Sequence, residues 1–229
     1  GLATYNAILV ILTVFLTFTR CRGLYFWSLL VAACGIVVSI YGGRLNALLG
    51  AKGHLIYLAF TISALGWWSM VTGQAFVLWS RLNLVLHGSR GFKLLKWTKW
   101  MIIANIALLH GPSTILFFCS FRGRRSQAFD IAYLIAEKIQ LTGFFLQETM
   151  LSSIYIWKAI KILRSSLQVQ TPALMKQLIA INAIIIFMDL VLIVLEYARF
   201  HSIQCLIKPL VYSIKLKLEF AILGKLKEV

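Results

Sequence analysis

Apolar residues in this chain do not alternate with polar ones; they run. Seven runs approach or exceed the roughly 20 residues of helix that cross a bilayer. They cover residues 2–19, 24–41, 54–79, 97–121, 129–163, 174–197 and 203–223. The expected fold is therefore all-α: a polytopic seven-transmembrane-helix bundle forming a single transmembrane domain over 1–229. The fifth run would make about 50 Å of helix. That exceeds the hydrocarbon thickness of about 30 Å, so its last turns, Lys158 to Arg164, are expected to stand in the cytosol. The seventh run is the most polar. The longest connection, Ser80 to Lys96, is basic and contains Gly88 and Gly91. No internal repeat is visible, which weakens an inverted-repeat transporter architecture.

Composition sharpens the picture. Hydrophobic residues make up 60% of the 229 and charged residues 13%, against about a quarter charged in an ordinary soluble domain. Disorder, a disulfide scaffold and a typical soluble enzyme are excluded, and lipid must be part of the solvent. The net charge is +16, from 23 Lys+Arg and 7 Asp+Glu. The basic residues gather between the apolar runs, where cytosolic loops carry them. Nucleic-acid-binding motifs are absent, so no nucleic-acid partner is expected.

Loop charge also sets orientation. The loops after the first, third and fifth runs, with the C-terminus, carry 13 basic residues; the opposite side carries 6. The N-terminus is thus expected outside and the C-terminus in the cytosol, with Arg122, Arg124 and Arg125 standing against that assignment. The chain begins at Gly1 rather than Met, so upstream sequence is expected. The first run lacks a basic n-region and a cleavage site, and is read as a span rather than a signal peptide.

The acids are distributed unevenly. All seven, Asp130, Glu137, Glu148, Asp189, Glu196, Glu219 and Glu228, lie in the second half. Ionisable residues inside spans are costly and normally face the bundle interior. At about 100° per residue, Glu137, Gln140, Gln147 and Glu148 share an arc of the fifth run. Lys138, a quarter-turn away, is expected to snorkel to the outer interface. Asn182, Asp189 and Glu196 are spaced by sevens along the sixth run, a narrow stripe. Lys208, Tyr212, Lys215 and Glu219 share one face of the seventh, while Lys217 points away toward the cytosolic interface. Pro209 should kink that helix and free a carbonyl near Lys208. The third run contributes Gln74, in Thr72-Gly73-Gln74, with Arg81 a heptad later. The signs are complementary, so Gln74, Glu137, Gln140, Gln147, Glu148, Asn182, Asp189, Glu196, Lys208, Tyr212, Lys215 and Glu219 are expected to form one buried polar network or ligand site, with Arg81 counted among the cytosolic loop charges. The bland alternative is a set of interhelical pins, worth about 0.6 kcal/mol each.

Catalytic chemistry finds little support. His54, His87, His110 and His201 do not converge at one depth, as a catalytic zinc site would need. His110-Gly111-Pro112 reads as a kink in the fourth run, and Trp67, Trp68, Trp97 and Trp100 as interface or packing aromatics. Nucleophile-elbow, zinc-protease and Walker sequences are absent. No catalytic residue, metal or cofactor is assigned. A membrane-embedded enzyme acting on a lipid or isoprenoid, such as a terpene cyclase, would use Asp189, Glu148 and Tyr155 with the 15 phenylalanines, but carries no motif here. Cys119 and Cys205 both fall near outer helix ends; a disulfide between them stays open, as does palmitoylation of Cys21.

Several stretches together resemble a family of uncharacterised fungal multi-pass integral membrane proteins. They are Gly23-Leu-Tyr-Phe-Trp27, Thr72-Gly73-Gln74, Ser80-Arg81-Leu82, Gln147-Glu148, Asn182 with Asp189, Glu196-Tyr197, and Tyr212-Ser-Ile-Lys-Leu-Lys-Leu-Glu-Phe220. The resemblance implies a seven-helix fungal protein and supplies no catalytic residues. The topology is also similar to that of G-protein-coupled and rhodopsin-like receptors. Lys208-Pro-Leu-Val-Tyr212 looks like their Asn-Pro-x-x-Tyr with Lys for Asn. Arg81 sits where they carry Asp-Arg-Tyr, but between Ser80 and Leu82, so the likeness is one of fold.

The leading expectation is a receptor- or sensor-like membrane protein with a buried polar cavity. A proton-linked carrier is the second reading and the isoprenoid enzyme the third. Expected partners are membrane lipid, a small-molecule ligand and a cytosolic protein. The expected location is the plasma membrane or an endomembrane of a fungal cell.

Overall fold

The computed structural model describes residues 1–17, 23–49, 55–86, 88–121, 127–165, 171–198 and 201–227. All regular structure among them is helical. The elements are α1 (Leu2–Thr17), α2 (Leu24–Leu49), α3 (Leu55–Val85), α4 (Ser89–Asn105), a π turn (Ile106–His110), α5 (Gly111–Phe121), α6 (Gln127–Ser165), α7 (Thr171–Tyr197) and α8 (His201–Lys227). Helix α4, the π turn and α5 continue one another, so the described residues form seven rods. Cys21, His54 and Arg122 to Arg125 lie outside the described residues, as do the side chains of Cys119, His201 and Cys205.

Among the described residues, two helical stretches are long and apolar enough to cross a membrane, Leu24–Leu45 with mean hydropathy 2.0 and Lys176–Tyr197 with 2.9. Helix α1 is apolar but has only 16 residues; the remaining rods carry more polar residues. Helix α6 has 39 residues, close to 60 Å of helix.

The turn between α3 and α4 is far tighter than the expected Ser80–Lys96 connection. Helix α3 runs on to Val85, and α4 begins at Ser89. Ser80-Arg81 does not break the helix because Arg81 and Leu82 are both buried. Gly88 makes the turn at φ 88°, a left-handed conformation that favours glycine. Beyond it, Leu95, Thr98 and Ile102 face inward while Lys93, Lys96 and Lys99 face out. The basic charge thus decorates an amphipathic helix start, and Arg81 is no loop charge at all.

Helices α2 and α3 are the most intimately packed pair, and glycines let their backbones meet. A Cβ on Gly35 would stand 2.5 Å from the Met70 nitrogen. On Gly42 it would stand 2.6 Å from the Ser63 nitrogen, and on Gly73 2.7 Å from that of Ala32. Gly66 is equally closed in, against Ser39. Small-residue seams of this kind let membrane helices pack closely without a hydrophobic driving force.

Helix α8 lies against α1, α2, α3 and α7. One apolar cluster joins α1, α2 and α8 through Val10, Phe26, Leu29 and Leu216. A second joins α3, α4 and α6 through Leu78, Leu82, Ile102 and Leu151. Helix α8 continues as a helix through Pro209.

A ladder of buried ion pairs as candidate functional site

The polar face of α8 is enclosed. Lys208, Tyr212, Lys215 and Glu219 are all buried, while Lys217 is exposed. The 4-3-4 spacing keeps the four residues on one side of the helix, and three neighbouring helices supply their partners.

At the first level, Lys208 Nζ lies 3.3 Å from Glu137 Oε1 on α6 and 3.8 Å from Glu196 Oε2 on α7. It also stands 5.1 Å from the Trp67 ring centre on α3, within cation–π range. Two turns on, Lys215 Nζ donates to Glu148 Oε2 at 2.7 Å and to Asp189 Oδ1. The Tyr212 ring lies 4.6 Å away. At the third level the signs invert: Glu219 on α8 accepts from Arg81 on α3, whose guanidinium stacks 4.7 Å over Tyr155 of α6. Tyr25 on α2 donates to the Glu219 carbonyl at 3.2 Å. Trp67 and Arg81 meet Lys208 and Glu219 in the same order along the chain. So α3 and α8 run parallel, as do α6 and α8, and α7 runs against them.

The four residues expected on one arc of the fifth run serve two neighbours. Glu137 and Glu148 turn to α8. Gln140 and Gln147 turn to the α4–α5 rod instead, where Gln140 Nε2 and His110 Nδ1 are 2.8 Å apart and Asn105 donates to Gln147 at 2.7 Å. The His110 ring stacks between Trp68, at 5.4 Å, and Phe144, at 4.8 Å. His110 closes the π turn that joins α4 to α5. Asn182 is buried but only donates back to the Leu178 carbonyl in its own helix, at 2.8 Å. Gln74 is fully buried, and neither amide atom finds a hydrogen-bond partner. Lys138 rests 5.6 Å from the Tyr197 ring.

A cavity of about 810 Å³ opens beside the first level, lined among others by Trp67, Trp68, Glu137, Gln140, Lys208 and Arg44. Its size suits a small-molecule site, and its wall mixes aromatic surface with a few convergent polar groups. Among the described residues, no three His, Cys, Asp or Glu side chains group as metal ligands.

Sequence reasoning missed Arg81, Asn105, Tyr25 and His110 as site components. Arg81 was recoverable: Trp67, Gln74 and Arg81 form a stripe spaced by sevens on α3, which the reading of Arg81 as loop charge obscured.

Fold and site together define an all-helical protein in which four helices close around an ionic ladder that ends at a cavity. Over residues 1–229 the chain belongs to the family described as a domain of unknown function, DUF7703. No curated protein and no solved structure matches it.

Proposed function

We propose that this chain is a multi-pass membrane protein of a fungal plasma membrane or endomembrane. All seven rods cross the bilayer, and the protein works as a receptor or sensor for a small molecule bound in the cavity at Lys208.

The membrane reading is supported by the inverted polarity of α7. Its polar residues Asn182, Asp189 and Glu196 point inward. Its outer face shows Ile184, Phe187, Leu190 and Val194, with Phe187 64% exposed. A helix with this pattern suits lipid outside and a polar interior. Parallel α3, α6 and α8 with antiparallel α7 fit rods that alternate across a membrane, and the loop-charge bias puts the N-terminus outside.

The cavity carries the ligand reading. Lys208 and its carboxylates offer charge at one end, while Trp67 and Trp68 offer an apolar wall. This favours a compact amphipathic ligand with a polar or charged head. The protein purified from its producing cells into lipid nanodiscs should carry a small-molecule adduct by native mass spectrometry. The adduct should be lost in Trp67→Ala and Lys208→Met variants that still elute as folded protein. An adduct retained in both variants would place the ligand elsewhere, and none in the wild type would count against the reading.

A carrier is the second reading, favoured by the succession of ion pairs leading away from the cavity along α8. The two differ in output. A receptor gives guanine-nucleotide-sensitive coupling through the Ser80–Lys96 region and the end of α6. A carrier gives substrate flux that disappears when Glu148 or Asp189 is neutralised.

A further inference from the structure

The middle level of the ladder is not balanced in charge. Lys215 brings one positive charge and faces two carboxylates, Glu148 from α6 and Asp189 from α7. Charged and titratable groups on the other surrounding elements do not correct the sum. Arg81 of α3 is matched by Glu219. Lys208, two turns along α8, already has Glu137 and Glu196; that level has the same count, but its Glu137 is 16% exposed and opens onto the cavity, where solvent screens the surplus charge. Tyr212 of α8 and Tyr25 of α2 are neutral phenols, and α1 carries no charged residue. With both acids ionised the level would hold a net negative charge, yet Lys215 is 0%, Glu148 2% and Asp189 5% exposed. An uncompensated buried charge costs several kcal/mol, and such groups neutralise instead.

Two independent features mark where the neutralising charge sits. Lys215 engages only Glu148 Oε2, and the other oxygen, Oε1, is buried with no hydrogen-bond partner. Gln74, 0% exposed and likewise unpartnered, is the middle member of the α3 stripe. Its neighbours on that stripe, Trp67 and Arg81, meet Lys208 and Glu219. Gln74 therefore faces the stretch of α8 between them, which carries Tyr212 and Lys215. It bonds neither acid in this structure, but an unpartnered carboxamide is able to donate to a carboxylate and to accept from a carboxylic acid.

We propose that the Lys215 level is a proton-binding site in which Glu148 and Asp189 share one exchangeable proton. Uptake converts one carboxylate to its acid and brings the level to neutrality; release returns the proton to water. The inference rests on the membrane-embedded reading above, but holds for a sensor and a carrier alike.

Infrared difference spectroscopy on the full chain in nanodiscs tests it, and the chain's 7 acids keep the spectrum tractable. The wild type at neutral pH should show a carboxylic-acid C=O band that shifts in deuterium oxide. Either Glu148→Gln or Asp189→Asn should abolish it, because one lysine then faces one carboxylate. Lys215→Met should instead strengthen it about twofold, since both acids then stay protonated. A band unchanged in both isosteric variants overturns the proposal. So does its absence from the wild type, a result that needs no variant to fold. Sodium-dependent thermal stabilisation without the band would reassign the level to a metal cation and overturn it too. Resistance of the wild type to alkaline carbonate extraction from membranes checks the underlying reading separately.

Discussion

Arg81 and Glu219 form an ion pair enclosed on every side, with side-chain exposures of 1% and 0%. The pair joins α3 to α8, and Tyr155 covers the guanidinium from α6. Desolvating two charges offsets most of their attraction, so the pair adds little net stability, whereas removing one partner strands the other. Arg81→Met and Glu219→Leu should each cost about 3–5 kcal/mol. The double replacement Arg81→Met with Glu219→Leu should recover most of that loss. Midpoints of thermal unfolding in detergent, measured across the double-mutant cycle, give the coupling. Additive losses would mean the two side chains do not depend on each other.

The outward face of α7 distinguishes lipid from water. Phe187→Asp on a water-facing surface would be nearly neutral and would raise solubility. At the centre of a spanning helix it should cost about 3 kcal/mol of insertion free energy. Glycosylation-reporter measurement of α7 insertion, wild type against Phe187→Asp, separates the two. An unchanged inserted fraction would argue that this face does not meet lipid.

Glycine substitutions probe the α2–α3 seam. Gly73→Ala puts a methyl group into the Ala32 backbone and should destabilise by about 1–3 kcal/mol through overpacking. Gly43→Ala meets nothing within 4 Å. It should be neutral or stabilising by up to about 1 kcal/mol, the helix-propensity gain. Equal effects at the two sites, read from unfolding midpoints, would show that the close approach is not what Gly73 provides.

Gln140 gives the His110 ring its one hydrogen bond among the described contacts. Gln140→Leu should cost about 1–3 kcal/mol by leaving a buried ring nitrogen unpaired. Adding His110→Phe should restore much of it, because both polar partners are then gone. The same unfolding assay decides, and no recovery in the double variant would locate the role of Gln140 elsewhere, at the cavity wall.

Helix content and the polar faces were legible because a period of 3.6 residues leaves a direct trace in spacing. Asn182, Asp189 and Glu196 announce one face by their sevens, and Lys208 to Glu219 another. Which helix receives which face was not legible, since spacing along one helix says nothing about its neighbour. An arc of about 100° is wide enough to touch two helices, which is why Gln140 and Gln147 part company with Glu137 and Glu148. Arg81 was hidden for a different reason: a basic residue at the edge of an apolar run has the same sequence signature whether it ends a span or is drawn inward by an acid 138 residues away. The glycine seam was equally silent, because glycine marks both turns and close approaches.

The π turn at Ile106–His110 works as a phase corrector. In an unbroken α-helix, residues five apart point about 140° away from each other, and Asn105 and His110 could not both face α6. Bonding from i to i+5 brings them back toward one side, where Gln147 and Gln140 wait at a spacing of seven. One surplus residue is thus absorbed while the two rods keep two hydrogen bonds. A one-residue deletion anywhere in 106–109 would restore an ordinary helix with the pair four apart, about 40° from each other, so both bonds should survive the loss of the very residue that makes the π turn.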